Sequence, residues 1–166
     1  QGQQNALQGK GAQASPTFVP NGIDTSNPEA STGYVTVPLD PGKPTMVGEA
    51  YTLRYIPARE DLNPITVFQD RGHPQRKAVE ECPPGAVFVI DSRKDARAAS
   101  AGSILVSRLM KRGVAGIVTD GGFRDSPEMA KMPFPVYHQR PAAPTNLTVH
   151  EAIDINVPIG CGDAPV

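Results

Sequence analysis

The stretch "AVFVIDSRKDARAASAGSILVSRLMKRGVAGIVTD", residues 86–120, decides the fold. It opens and closes on short apolar runs, residues 86–91 and 115–120, that do not alternate with polar residues. Such runs suit strands covered on both faces. Between them Ala98, Ala101, Leu105 and Leu109 recur at spacings of three and four, which predicts a helix with one buried stripe. Asp95 is placed to cap that helix, Lys111 and Arg112 fall in its last turn, and Gly113 ends it. Strand, helix and strand joined by short connections make a βαβ unit, whose two strands run parallel. Their carboxyl ends then share one edge of the sheet, the usual ligand crevice of open α/β folds.

Two features lie on that edge. Gly102 is an unexpected residue inside a helix, where it costs about 1 kcal/mol against Ala. Either the helix begins near residues 100–103 and its free N–H groups face the crevice as an anion site, or the glycine only permits close helix–strand contact. Both explanations stay open on pattern alone. The second feature is "VTDGGFRDSPE", residues 118–128, where two glycines and an adjacent Arg124-Asp125 pair come straight off the second strand. Arg124 offers a planar fork matched to a carboxylate or enolate oxygen. Asp125 offers a hard oxygen suited to Mg²⁺, which takes one or two carboxylates and keeps several waters. The competing explanation is an ordinary surface ion pair.

Outward from this unit, residues 1–29 form a polar N-terminal segment without helical or strand period, read as mobile. A short extended piece is expected at residues 17–19, a strand at 34–37 ending at Pro38, and a turn at 40–44. Residues 30–166 are read as a single domain. Strands are expected at residues 46–56, 135–137 and 153–159, with short helices at 73–80 and 126–131. The fold class is therefore α/β.

Sixteen basic and seventeen acidic residues leave a formal charge of −1. That balance argues against nucleic acid or an anionic membrane as partner, since both select for basic excess. No apolar run approaches the roughly 18 residues needed to cross a bilayer, and no leader pattern opens the sequence. Cys82 and Cys161 lack any paired spacing and read as free thiols of a reducing compartment. The expectation is a soluble cytoplasmic protein. His73, His138 and His150 have no zinc-ligand spacing. His73 is placed to cap the helix that follows it, or to face the crevice. Arg54, Arg59 and Glu60 read as a solvated or subunit-contact cluster. Asp91 is a weaker candidate to hold metal waters, Asp120 to accept turn N–H groups, and Glu128 to orient Arg124.

The pieces "VGEAYTLRYIPAREDL", "PPGAVFVID", "ARAASAGSILVSRLMKRGVAGIVTDGGFRDSPE" and "RPAAPTNLTVHEAIDINVPIGCGD" resemble the RraA-like family. That family holds regulators of ribonuclease E activity and metal-dependent 4-hydroxy-4-methyl-2-oxoglutarate / 4-carboxy-4-hydroxy-2-oxoadipate aldolases. The resemblance implies a layered β/β/α sandwich of the swivelling-domain type, assembled as a homotrimer or hexamer with sites between subunits. It implies that the backbone of Gly102, Ser103, Ile104 and Leu105 holds a substrate carboxylate. Arg124 would contact the keto oxygen and Asp125 would bind Mg²⁺ or Mn²⁺. Gly121 and Gly122 would turn the backbone sharply so that Arg124 and Asp125 face the helix N-terminus.

Two departures stand out. The polar N-terminus does not match the helix with which family members begin. Nor does the sequence continue past "GCGDAPV" into the Pro-Gly-Asp turn and final strand pair of the family. It reads on this comparison as a fragment or shortened product, without the acidic residue that region gives to a neighbouring subunit's metal waters.

The activity implied is cleavage of a carbon–carbon bond beside a small 2-oxo acid, by aldol cleavage or oxaloacetate decarboxylation through a pyruvate enolate. The competing class is a protein-binding regulator of ribonuclease E, which does not need the Arg-Asp pair. A third is a related sugar-acid or aromatic-catabolic lyase, suggested by "YIPAREDL" and "HPQRKAVEECPPG".

Overall fold

The computed structural model describes residues 46–59 and 61–166, with the backbone of residues 37–38. The expectations for residues 1–29, for the piece at 17–19, for 34–36 and for the turn at 40–44 lie outside the described residues, as does Glu60.

Strands are numbered in chain order. The main sheet uses β1 (Val37–Pro38), β2 (Ala50–Pro57), β3 (Val87–Asp91), β5 (Gly116–Thr119), β7 (Val136–His138) and β9 (His150–Ile155). Their spatial order is β1-β7-β5-β3-β2-β9. The four central strands are mutually parallel, and β1 and β9 close the edges antiparallel. A smaller parallel sheet is built from β4 (Ala99–Ala101), β6 (Gly122–Phe123) and β8 (Arg140–Pro141). A hairpin of β10 (Gly160–Cys161) and β11 (Ala164–Pro165) completes the strands. The helices are α1 (Pro74–Glu81), α2 (Ser103–Lys111) and α3 (Ser126–Ala130). The chain is thus α/β, with a parallel β3–α2–β5 crossover as its centre.

The apolar runs are buried on both sides. Phe88, Ile90 and Ile117 pack with Val106 and Leu109 of α2, Val79 of α1 and Met129 of α3. Their neighbours Val87, Val89 and Val118 point the other way, onto Ile159 and Cys161 beside and within the hairpin. Period-2 alternation of side chains thus serves two apolar layers, which is why the runs show no polar positions. Each large aliphatic or aromatic side chain removed from water there contributes about 1.5–3 kcal/mol.

Two boundaries differ most from expectation. The long helix starts at Ser103, not Asp95, because residues 99–101 leave to form β4. Ala98 and Ala101 are still buried, but as part of the small sheet's surroundings. The helix stripe is Val106 and Leu109, with Leu105 half-buried. Asp95 instead accepts from the backbone and guanidinium of Arg97. The last long strand is His150–Ile155, not residues 153–159, because Asn156 takes a left-handed backbone (φ 54°) that ends the extended run. Gly113 ends α2 in the left-handed conformation (φ 81°) that favours glycine. Among the described residues no helix is long and apolar enough to cross a membrane. Cys82 and Cys161 are both free and buried.

His150 is fully buried and stacks on Tyr55, with ring centroids 4.9 Å apart. Neither ring nitrogen has a partner among the described residues. Burial is the main reason its pKa falls to about 4, with Arg93 and Arg97 adding to the fall and Asp95 opposing it. An unfolded chain binds that proton near pH 6.5. Between the two values the unfolded state holds more protons, so stability is full above pH 6.5 and is lost as pH falls toward 4. The loss amounts to about 3 kcal/mol at most. Urea midpoints at pH 7 and pH 5 test this. Wild type should lose stability on acidification, and His150→Phe, which keeps the stacked ring, should lose less.

Candidate functional site

Gly102 is the N-cap of α2, in extended backbone (φ −123°, ψ 178°). A Cβ there would lie 2.6 Å from Arg124 Nε and 2.8 Å from Asp125 Oδ2. Any other residue would therefore displace the groups that crowd against this helix end. Both explanations left open for Gly102 describe it: the helix does begin here, and the glycine does permit close approach.

Parallel pairing of β6 with β4 brings Arg124 alongside, where its N–H donates to the Ala101 carbonyl (3.2 Å). Asp125 then takes the left-handed conformation (φ 60°, ψ 32°), uncommon for a residue with a Cβ but tolerated by Asp. Its Oδ2 accepts from the Ser103 amide (2.9 Å) and the Ser103 hydroxyl (3.1 Å). Arg124 Nε stands 3.7 Å from the same oxygen. A carboxylate from β6–α3 thus caps α2 from outside its own chain segment. The Ile104 and Leu105 amides of the same turn have no helix carbonyl one turn back to bond. The Ile104 side chain projects outward and is 78% exposed.

Gly102, Ile104, Leu105 and Arg124 line a cleft of about 410 Å³ with Phe68, Gln75, Arg76 and Asn146. Asp125 and Ser103 sit behind Arg124 and Gly102 and are not among its wall residues. Among the described residues its charged wall residues are two arginines, and no carboxylate lines it. The local field therefore favours an anion. Asn146 is buried, and its Nδ2 has no partner among the described residues.

Buried polar groups hold the strand ends beneath. The Ser92, Ser100 and Thr119 hydroxyls bond to one another, and the Gly121 amide donates to Thr119 Oγ1 (3.0 Å). A Cβ on Gly121 would meet Ser92 Cβ at 2.5 Å. Close approach, rather than the sharp turn expected of Gly121 and Gly122, is the need here; neither has a positive φ. Asp120 accepts from the amides of Ser92 (2.6 Å), Lys94 (3.0 Å) and Gly162 (3.4 Å), so it does take up backbone N–H groups. Desolvation nevertheless pushes its pKa up, against the lowering effect of those three donors.

The weaker candidates lie apart. Asp91 accepts from the Arg93 amide, and Glu128 is exposed without a bond to Arg124 among the described residues. His73 occupies the N-cap position of α1, but its ring caps nothing; Nε2 meets buried Glu151 Oε1 at 2.6 Å. Arg54 pairs with Asp154 and Arg59 with Asp61, so they form two surface pairs rather than one cluster. Among the described residues no three His, Cys, Asp or Glu side chains gather as a metal cage. Sequence reasoning missed Gln75, Arg76 and Asn146. Their α1 and 3₁₀ segments reach the cleft only through tertiary packing, and nothing in the stretch "HPQRKAVEECPPG" or around Asn146 marks a cleft residue.

An α/β core with an Arg-Asp pair set on a helix N-terminus is the arrangement to compare with known proteins. Residues 23–166 match the family model described as RraA-like: Aldolase/RraA, and the chain belongs to that family. A protein of Halalkalibacterium halodurans, provisionally named a 4-hydroxy-4-methyl-2-oxoglutarate aldolase, is 34% identical over 90 residues, 54% of this chain and 42% of the relative. Among solved structures, Streptomyces coelicolor RraAS2, titled an unusual member of the RNase ES inhibitor RraA family, is 26% identical with a TM-score of 0.62. That match covers 73% of this chain and 56% of the other. A Thermus protein titled the RNA-processing inhibitor RraA shares the fold, with a TM-score of 0.58, 24% identity, and coverage of 81% of this chain and 73% of its own. The chain spans about half the length of the first two relatives.

The cap yields a prediction. Asp125→Ala should cost about 1 kcal/mol of stability by stripping the acceptor from Ser103. Gly102→Ala should cost a similar amount, because its Cβ pushes the same carboxylate away. Both changes act on one contact, so the double variant should fall short of their sum in a chemical-denaturation cycle.

Proposed function

We propose that the chain carries a divalent-metal-dependent lyase site that breaks a carbon–carbon bond beside a 2-oxo acid and releases pyruvate. The observation that supports it is the convergence of Arg124, Asp125 and the open amides of α2 at Gly102. The relative named as an aldolase adds support at the level of the family.

The residues present suit Mg²⁺ or Mn²⁺. Asp125 is a partly exposed carboxylate that belongs to no cluster of three His, Cys, Asp or Glu among the described residues, which matches an ion that keeps most of its waters. Asp125 would hold it, and the ion would supply Lewis-acid polarisation of the keto carbonyl. The chain's own groups do the rest. The Ile104 and Leu105 amides and the positive end of α2 bind the substrate carboxylate. Arg124 donates to the C2 oxygen and stabilises the negative charge that gathers there as the bond breaks. The Ser103 bonds and the left-handed turn at Asp125 hold its carboxylate in place before substrate arrives. Phe68, Ile65 and Leu105 give the cleft an apolar wall beside the reacting carbon.

Pyruvate release from oxaloacetate, and from 4-hydroxy-4-methyl-2-oxoglutarate, should vanish with EDTA and return with Mg²⁺. Arg124→Ala should lower kcat by about 10²–10³. Unchanged turnover in Arg124→Ala or Asp125→Ala would sink the reading. A homotrimer or hexamer is part of the proposal, supported by the exposed Leu62, Ile65 and Ile104, the last two at the cleft. A mass measurement in solution checks it. The likeness to RraAS2 supports a second reading, a protein-binding regulator of ribonuclease E. Capture of ribonuclease E together with no metal-dependent turnover would favour that one.

A further inference from the structure

One wall residue of the cleft is locked in orientation by groups buried behind it. Gln75, on α1, is 5% exposed and lines the cleft. Its Nε2 donates to Tyr55 Oη (2.7 Å) and to the Ser100 carbonyl (2.8 Å). Those two bonds use both hydrogens of the amide nitrogen. Tyr55 Oη in turn donates to the same Ser100 carbonyl (2.7 Å), so its one hydrogen is committed and it can only accept from Gln75. Tyr55 is 1% exposed, and burial pushes its pKa up, which keeps that hydrogen in place.

A flipped amide would set Gln75 Oε1 against the Ser100 carbonyl oxygen and lose both donor bonds. The assignment of nitrogen and oxygen therefore follows from the network. What remains is Oε1. No donor among the described residues reaches it, and it is not among the enclosed polar atoms that lack a partner. It keeps some exposure and has no donor among the described residues, in a side chain that lines the cleft. The other polar wall residues are Arg76, Arg124, Thr145 and Asn146; the two arginines are donors only, and an anion satisfies them. An acceptor fixed among them repels a carboxylate and needs an O–H or N–H from the ligand.

We propose that Gln75 Oε1 receives a hydroxyl hydrogen of the ligand held at Arg124, which makes Gln75 a specificity-determining residue for hydroxylated over unhydroxylated 2-oxo acids. The assignment rests on the lyase reading for the identity of the acid, not for the acceptor itself. A site built around a hydrogen bond rejects the analogue that lacks the group, since the buried polar atom is then left unpaired.

Two substrates isolate the effect. The ratio of kcat/KM for 4-hydroxy-4-methyl-2-oxoglutarate over oxaloacetate is measured in wild type, in Gln75→Met, which keeps length without the acceptor, and in Lys77→Ala, an exposed change on the same helix. The ratio should fall about tenfold in Gln75→Met, the worth of one hydrogen bond, and hold in Lys77→Ala. Equal loss on both substrates, or no change in the ratio, overturns the proposal. Should Gln75→Met fail to fold by circular dichroism, Tyr55→Phe releases the amide and should lower the same ratio. Absence of turnover in wild type would overturn the lyase reading alone. Calorimetry of 4-hydroxy-2-oxoglutarate against 2-oxoglutarate then decides on Gln75. Tighter binding of the hydroxylated acid in wild type, lost in the variant, supports the proposal, and equal binding in both proteins ends it.

Discussion

A single carboxylate oxygen, Asp125 Oδ2, joins the parts of this site. It accepts from the amide and hydroxyl of Ser103 and stands beside Arg124 Nε, in a space that exists only because residue 102 has no Cβ. The contact couples two demands that usually compete. A helix N-terminus needs an acceptor for its free amides, and a reactive centre needs its charged groups fixed before ligand arrives. Here one residue meets the first and, on the proposed reading, the second, with a left-handed backbone at Asp125.

That contact is possible only if the small sheet sits squarely on the end of the large one. β3 and β5 run up from the main sheet, and their continuations turn over into β4 and β6. At the fold-over, the chain buries the hydroxyls of Ser92, Ser100 and Thr119 and the carboxylate of Asp120. Each would be expensive alone. Bonded to one another and to backbone amides they become directional struts, more specific than apolar packing because a shifted strand would leave them unpaired. The apolar layers supply the bulk of the stabilisation, and these groups set the angle at which the site is presented.

The relatives of this chain include one named for chemistry on a small acid and one titled a member of an RNase ES inhibitor family. A common scaffold does not choose between them, because function resides in the site. The features that favour chemistry here are local. The cleft has a cationic wall, its acceptor at Gln75 is oriented from behind, and the Arg-Asp pair lies beside open amides. A protein-binding surface needs none of these three.

The apolar runs at residues 86–91 and 115–120 showed the two central strands and their parallel relation directly, since burial on both faces leaves a composition that few other structures produce. Gly102 and the Arg124-Asp125 pair were legible as oddities of residue choice. Their adjacency followed from placing both on one sheet edge, while the family resemblance supplied the roles. The start of α2 was only half legible, since Gly102 pointed to a start near residues 100–103 while the apolar period pointed to Asp95. Residues 95–102 carry a helical period, yet the pairing of β4 with β6 draws residues 99–101 into a sheet, and tertiary hydrogen bonds override local preference. His73 beside Glu151, Gln75 beside Tyr55 and Ser100, and Asn146 in the cleft wall were invisible for a different reason. Each depends on partners 20 or more positions away or on a segment without period, so only the packed chain brings them together. Sequence determined which residues must be buried and which glycines were out of place; tertiary structure decided what those glycines make room for.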